Sequence, residues 1–363
     1  MSNGSSQYVP CLRWKQGEYQ AVLQLPPEVC DLIVPLIEVP EIGFDFETKS
    51  LKKTLDEHIR PFANRVYEKW GRRPCYIDLS LIDAAEGMAD GRHPAGFVFD
   101  GLRERSVPAI PTFSLKQDTA MREELARASA LDGNGVCVRI DLEEFAKADF
   151  ADRISRFVDS IAAMPSESDL VLDLGAPNFD PVSGFADLIE QLFARIPRLP
   201  EWRTVTLLGT SFPSTMAEVG RGLTLRERKE WTLHGAVCDR LSKRSLRTPR
   251  FGDYAVAHPQ LLQIDPRLVG PAASVRYTTT NGWLIAKGRN VRRNAGDQYH
   301  VLCQSIIDST EFDGVDYSAG DAYIANCAGG SVSTGNLTTW RWVGTNRHIT
   351  KVTSSLATGS ASS

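Results

Sequence analysis

The stretch GVCVRIDLEE, Gly135–Glu144, decides the fold. Gly135 punctuates, and Val136, Cys137 and Val138 follow as the apolar start of a buried strand. Arg139 and Asp141 then stand two residues apart, a spacing that puts both side chains on one face of a strand. Parity assigns them to the face of Cys137 and leaves Val138 and Ile140 on the other. A solvated strand end, one structural ion pair, or a helix cap through Asp141 (IDLEEF) accounts for the pattern at a single site. A shared pocket accounts for it only if other strands end the same way.

They do. Eight short apolar runs recur at 8–14, 32–40, 73–83, 107–115, 135–142, 168–176, 203–213 and 251–259. Helical patterns separate most of them. In 50–70, Leu51, Leu55, Ile59, Phe62 and Val66 recur at three- and four-residue steps, with Ser50 as the expected cap. Eight strand-and-helix units predict a parallel sheet closed into a (β/α)8 barrel over residues 8–260. An open doubly wound sheet is the rival, and no G-x-G-x-x-G supports its dinucleotide-binding form.

Barrel closure would bring the C-terminal ends of the strands to one mouth, where such barrels build their sites. Those ends carry Glu38, Asp78, Arg139 with Asp141, Asp173, Thr210 with Ser211, and Asp253 with Tyr254. Glu38, Asp78, Arg139, Asp141 and Asp173 are therefore the candidate catalytic set. Arg139, or a divalent cation such as Mg²⁺, would offset the carboxylates' repulsion. No H-x-H or H-E-x-x-H occurs, so no metal ligand is assigned. The lack of G-x-S-x-G leaves Ser211 as a candidate binding residue rather than a triad serine.

After residue 260 the texture changes. Residues 261–355 are expected to pack on the barrel as a hairpin and helices. Two β-rich arms, ASVRYTTT and WLIAKGR, flank Asn281-Gly282, a two-residue turn signal. SAGD and CAGGSVSTGN read as loops, with an anion-binding nest as the alternative. Interleaved Arg, Trp and Tyr in 13–19, 276–293 and 338–348 read as a packed face, with stacking on bases the alternative. The ends, 1–7 and 356–363, are expected to be disordered.

The 363 residues are 42% hydrophobic and 24% charged, ordinary globular values, and the net charge of -4 offers no global field for nucleic acid. The seven cysteines form no CxxC, and no apolar run reaches membrane-spanning length. A cytoplasmic protein without membrane contact is expected.

YVPCLRWKQGEYQAV followed by PLIEVP resembles the opening of the protein beta family of phages and bacteria. FGDYAVAHP, VRYTTTNGWLIAKGR, YSAGDAYIANC and TGNLTTWRWVGTNRHI extend the resemblance, in order, to about residue 351. Lys15, Glu18, Glu38, Asp78, Asp253, Tyr254, Arg276, Tyr277 and Trp283 lie in matched segments. Arg347 stands where the pattern has a histidine, and Tyr317 where it has a phenylalanine. The resemblance implies a phage or bacterial context, with phage–host conflict as the setting, and brings no catalytic residues. From the residues come two readings. One is acid-base or metal-assisted hydrolysis of a phosphoester-type substrate. In it Glu38 or Asp141 serves as base, and Lys15 and Arg139 hold the anion. The other is a binding or sensor protein that recognises a small, nucleotide-like ligand or a protein partner. It would use the same pocket, with Glu18, Ser211, Asp253, Tyr254, Arg276, Tyr277 and Trp283 as contacts, or the Trp-rich C-terminal face.

Overall fold

A computed structural model describes residues 8–83, 87–260, 270–293 and 296–360. The N-terminal stretch 1–7 lies outside the described residues. The strands are β1 (Tyr8–Arg13), β2 (Leu36–Glu38), β3 (Phe44–Asp45), β4 (Ser50–Leu51), β5 (Cys75–Asp78), β6 (Ala109–Phe113), β7 (Val136–Asp141), β8 (Ser168–Asp173), β9 (Thr204–Leu208), β10 (Gly222–Glu227), β11 (Arg250–Asp253), β12 (Ala272–Thr278) and β13 (Gly282–Asn290).

Each of the eight apolar runs supplies one strand of a closed parallel barrel, in the order β1-β11-β9-β8-β7-β6-β5-β2. Helices flank it, as in a TIM-type barrel. The two-residue period then sorts the side chains. Cys11, Leu36, Tyr76, Cys137, Val171 and Tyr254 belong to a buried cluster inside the barrel. Val138 and Ile140 join the larger core between strands and helices, with Phe145, Ile154 and Leu192. Arg139 thus faces inward, as its parity requires. Cutting Ile140 back to alanine would cost about 2–5 kcal/mol in that core.

The helical pattern of 50–70 begins later than its spacing suggested. Ser50 is in β4, and the cap is Thr54, whose Oγ1 accepts from Glu57 N in a capping box. Proline 61 then splits the segment into helices Leu55–Ile59 and Phe62–Trp70, because it cannot continue an i→i−4 ladder.

The C-terminal region adds a three-stranded antiparallel sheet, β10-β13-β12. One of its strands, β10, comes from within the barrel segment, between β9 and the helix Lys229–Lys243. The hairpin turn sits one residue earlier than the Asn281-Gly282 signal. Thr279 N donates to Gly282 O at 2.8 Å, so Thr280 and Asn281 form the turn, and neither they nor Gly282 adopt positive φ. Gly282 serves close approach instead. A Cβ there would lie 2.6 Å from Arg226 O on β10.

Helices Gln298–Ile307, Ala319–Ala328 and Leu337–Ser360 cover this sheet. SAGD is an ordinary helix start, with Ser318 Oγ accepting from Asp321 N. The last helix takes in 356–360 of the tail expected to be disordered, and 361–363 lie outside the described residues. It continues through Ser360, with Thr353 buried and Val352 packed in the core between the barrel strands and the helices. Its Asn346 Nδ2 donates to Ala21 O at 3.0 Å, fastening the two ends of the chain together.

Candidate functional site at the barrel mouth

The floor of the mouth is built on Arg139. Its Nε and Nη2 donate to Asp173 Oδ2 at 2.9 and 2.7 Å. Its Nη1 donates to Glu38 Oε1 at 2.9 Å and Asp78 Oδ2 at 2.7 Å. Nη2 also reaches the Tyr254 hydroxyl at 2.9 Å, and that hydroxyl donates to Asp173 Oδ2 at 2.6 Å. Strand register explains the convergence. Glu38 pairs with Asp78 across β2 and β5, and β8 carries Asp173 one inward step beyond Val171, the partner of Arg139. The second oxygens are spent on backbone turns: Asp78 accepts from Ser80 N and Asp173 from Gly175 N, both at 2.8 Å. The guanidinium therefore takes the central place a cation would hold. Among the described residues, no group of three or more His, Cys, Asp or Glu is placed to hold a metal ion.

Asp141 does not join this floor. It is the last residue of β7 and also the cap of the helix Leu142–Ala146. Its Oδ1 accepts from Glu144 N at 2.9 Å, and its other oxygen pairs with Lys116 Nζ at 2.7 Å. Burial would raise its pKa, but Lys116 and the backbone donors bring it below the ordinary carboxylate value. The cap reading holds here because the chain turns into a helix at once and the nearest orphan N–H groups claim the carboxylate.

Above the floor lies a cavity of about 300 Å³, lined by Cys11, Arg13, Lys15, Glu18, Glu38 and Tyr254 from the barrel, Phe212, Met216 and His258 from loops, and Arg276 and Arg341 from the C-terminal region. Arg13 is 3.5 Å from Glu38, and Lys15 pairs with Glu41 at 2.5 Å. Arg276 and Arg341 differ from these. Both donate to one neutral oxygen, Val256 O, at 2.9 and 2.8 Å. Arg276 forms no ion pair among the described residues, and its guanidinium lies 5.3 Å from the Phe212 ring. Burial, reinforced by Arg341, pushes its pKa down to about 9, so it stays charged at neutral pH but poorly compensated. Glu18 is the nearest counter-charge, 3.7 Å from Arg341 Nε, and burial raises its pKa. The Cys11 thiol is also pushed up, by burial and then by Glu38, which leaves it protonated and a poor nucleophile.

Gly17 makes this arrangement sterically feasible. A Cβ there would lie 2.3 Å from Arg341 Cγ, so the C-terminal helix lays Arg341 across the bare backbone of the helix Gln16–Leu23. The K-x-G-E segment and the Trp-Arg-Trp segment are thus two halves of one contact.

The remaining candidates lie elsewhere. Ser211 Oγ donates to Glu230 Oε2 at 2.7 Å and lines a neighbouring cavity of about 650 Å³ that shares Phe212, Ser214 and His258 with the mouth. Asp253 points away from the mouth. It is wholly buried, accepting from the Tyr8 hydroxyl at 2.6 Å and contacting His348 Nε2 at 2.7 Å and Arg228 at 3.3 Å. Burial opposes its charge, but His348, Arg228 and Tyr8 hold its pKa below the ordinary value. Tyr277 donates to Asp321 at 2.8 Å under the C-terminal helices, where Arg347 lies over its ring. Trp283 is fully buried, edge-on to Phe212. Arg347 in place of a histidine is therefore a core cation, paired with Asp313 and Asp321.

A (β/α)8 barrel with an acidic floor closed by one arginine, and with two arginines at its rim that share a neutral partner, defines the class of protein. The chain matches the Beta protein family model over residues 8–354 and belongs to that family. The comparison with curated proteins returns no match.

Proposed function

We propose that the mouth binds a small anionic ligand, of the phosphorylated or nucleotide-like kind, with Arg276 and Arg341 as the anion-holding pair. The observation that carries this is Arg276, a part-buried guanidinium that lines the cavity with a carbonyl and an aromatic ring for company and, among the described residues, no carboxylate partner. A half-buried charge without a carboxylate partner gains from an arriving anion through charge-assisted hydrogen bonds. The planar forks of two arginines suit phosphate or carboxylate oxygens. Lys15 and Arg13, already paired, add to the field at the entrance.

Glu18 supports a hydrolytic version. Burial raises its pKa, it lines the same cavity, and it could carry a proton to or from a ligand held by Arg341. In the phage or bacterial context that the resemblance implies, either version would serve phage–host conflict, by turnover or by sensing. No helix among the described residues is long and apolar enough to cross a membrane.

Titration calorimetry and melting curves with inorganic phosphate and nucleoside monophosphates test the reading. Saturable binding is expected, with stabilisation of about 2.7 kcal/mol at a hundredfold excess over Kd. The Arg276→Met variant is expected to keep its melting temperature and lose the binding. Absence of binding to any of these anions at millimolar concentration defeats the proposal.

A further inference from the structure

A third cavity, of about 690 Å³, also borders the arginine pair. It shares Met216, Arg276 and Arg341 with the mouth and adds Ala217, Ala272, Leu337 and Trp340. Its polar groups are largely engaged already. Trp340 Nε1 donates to Thr334 O at 2.9 Å and Lys287 Nζ to Val219 O at 2.6 Å, so the indole and the lysine stem offer mainly carbon to the space. The two arginines thus border both a charged chamber and a mostly apolar one.

We propose that the ligand of the mouth is an anion joined to an apolar group, its charge held between Arg276 and Arg341 and its apolar part lodged against Met216, Leu337 and Trp340. This rests on the anion reading above and extends it to the class of ligand. An inorganic anion would leave the apolar walls facing water. An attached ring system removes that surface from water while the arginines keep hold of the charge, and pockets of this size and lining take ligands of that kind. A free phosphate fills only the charged half.

The experiment compares inorganic phosphate with 2-naphthyl phosphate by calorimetry on the full chain. The expected result is roughly tenfold or tighter binding of the naphthyl ester, since burying one ring's worth of apolar surface corresponds to at least that ratio. Two variants locate the gain. Leu337→Ser removes the apolar wall at a half-exposed position without putting a charge one helical turn from Arg341, and Ala217→Trp fills the chamber from an exposed one. Each is checked for an unchanged melting curve. Both are expected to erase the preference for the naphthyl ester while leaving phosphate affinity as it was. Equal affinity for the two anions, or a preference that survives in whichever variants fold, overturns the inference and leaves the anion site standing. Failure of both anions to bind the unaltered protein removes the anion reading itself, and this extension with it.

Discussion

Replacing Arg139 by methionine would test the floor directly. The side chain is 13% exposed and the three carboxylates it serves, Glu38, Asp78 and Asp173, are 6, 2 and 10% exposed. Methionine fills much of the volume but removes four carboxylate contacts of 2.7–2.9 Å and the bond to Tyr254. Each charged hydrogen bond is worth about 1.5–3 kcal/mol in isolation, yet such terms do not add when they share one donor. Breaking a buried pair and stranding its partner costs about 3–5 kcal/mol, and here three partners are stranded, so the upper end is expected. That would consume a third or more of a typical stability of about 5–15 kcal/mol. In a chain of this size it lowers Tm by roughly 10 °C. Arg139→Lys keeps the charge but not the fork, and should cost less, about 1–2 kcal/mol. Urea unfolding followed by tryptophan fluorescence gives both numbers. The double variant Arg139→Met with Asp173→Asn should regain about 1–2 kcal/mol, because one stranded charge is gone. A methionine variant within 0.5 kcal/mol of the parent, or a cycle with no coupling, would refute the idea that Arg139 neutralises the floor.

Asp141→Ala should lower stability by about 1 kcal/mol, the usual cost of a lost cap, and leave phosphate affinity unchanged, as paired calorimetry and melting would show. For Gly17→Ala the new methyl collides with Arg341 near its backbone, so a loss of about 1–3 kcal/mol together with weakened anion binding is expected; unaltered binding would separate Arg341 from the site. Asp253 has its pKa depressed in the folded state, so its contribution is complete above the unfolded carboxylate value and disappears as pH falls through the depressed one. Asp253→Asn should therefore lose about 3 kcal/mol at neutral pH and show a shallower acid limb than the parent in pH-dependent unfolding. A parallel acid limb would show that other groups govern it.

Local chemistry was enough for the barrel. Eight apolar runs at helix-separated intervals leave few closed solutions, and a period of two forces Arg139 inward once Val138 and Ile140 must meet the helices. The carboxylates Glu38, Asp78 and Asp173 were legible as strand ends. The identity of their common partner needed closure, since Arg139 lies 101 and 61 positions away from the first two.

Asp141 shows the opposite case. Its residue type and position suit both a pocket and a cap, and the next orphan N–H decides between them by proximity. Arg341 could be seen only as one member of a basic, aromatic stretch, because its role depends on the last helix crossing Gly17, more than three hundred residues earlier. The same long-range packing explains the tail, whose Ser, Thr and Gly have weak helix propensity and are held helical by what Val352 and Thr353 bury. Pattern with a short period was therefore determined by the sequence itself. Which charges meet, and which are left without a partner, was decided by tertiary structure, because a Coulomb contact depends on distance in space and the chain's order along the backbone does not encode it.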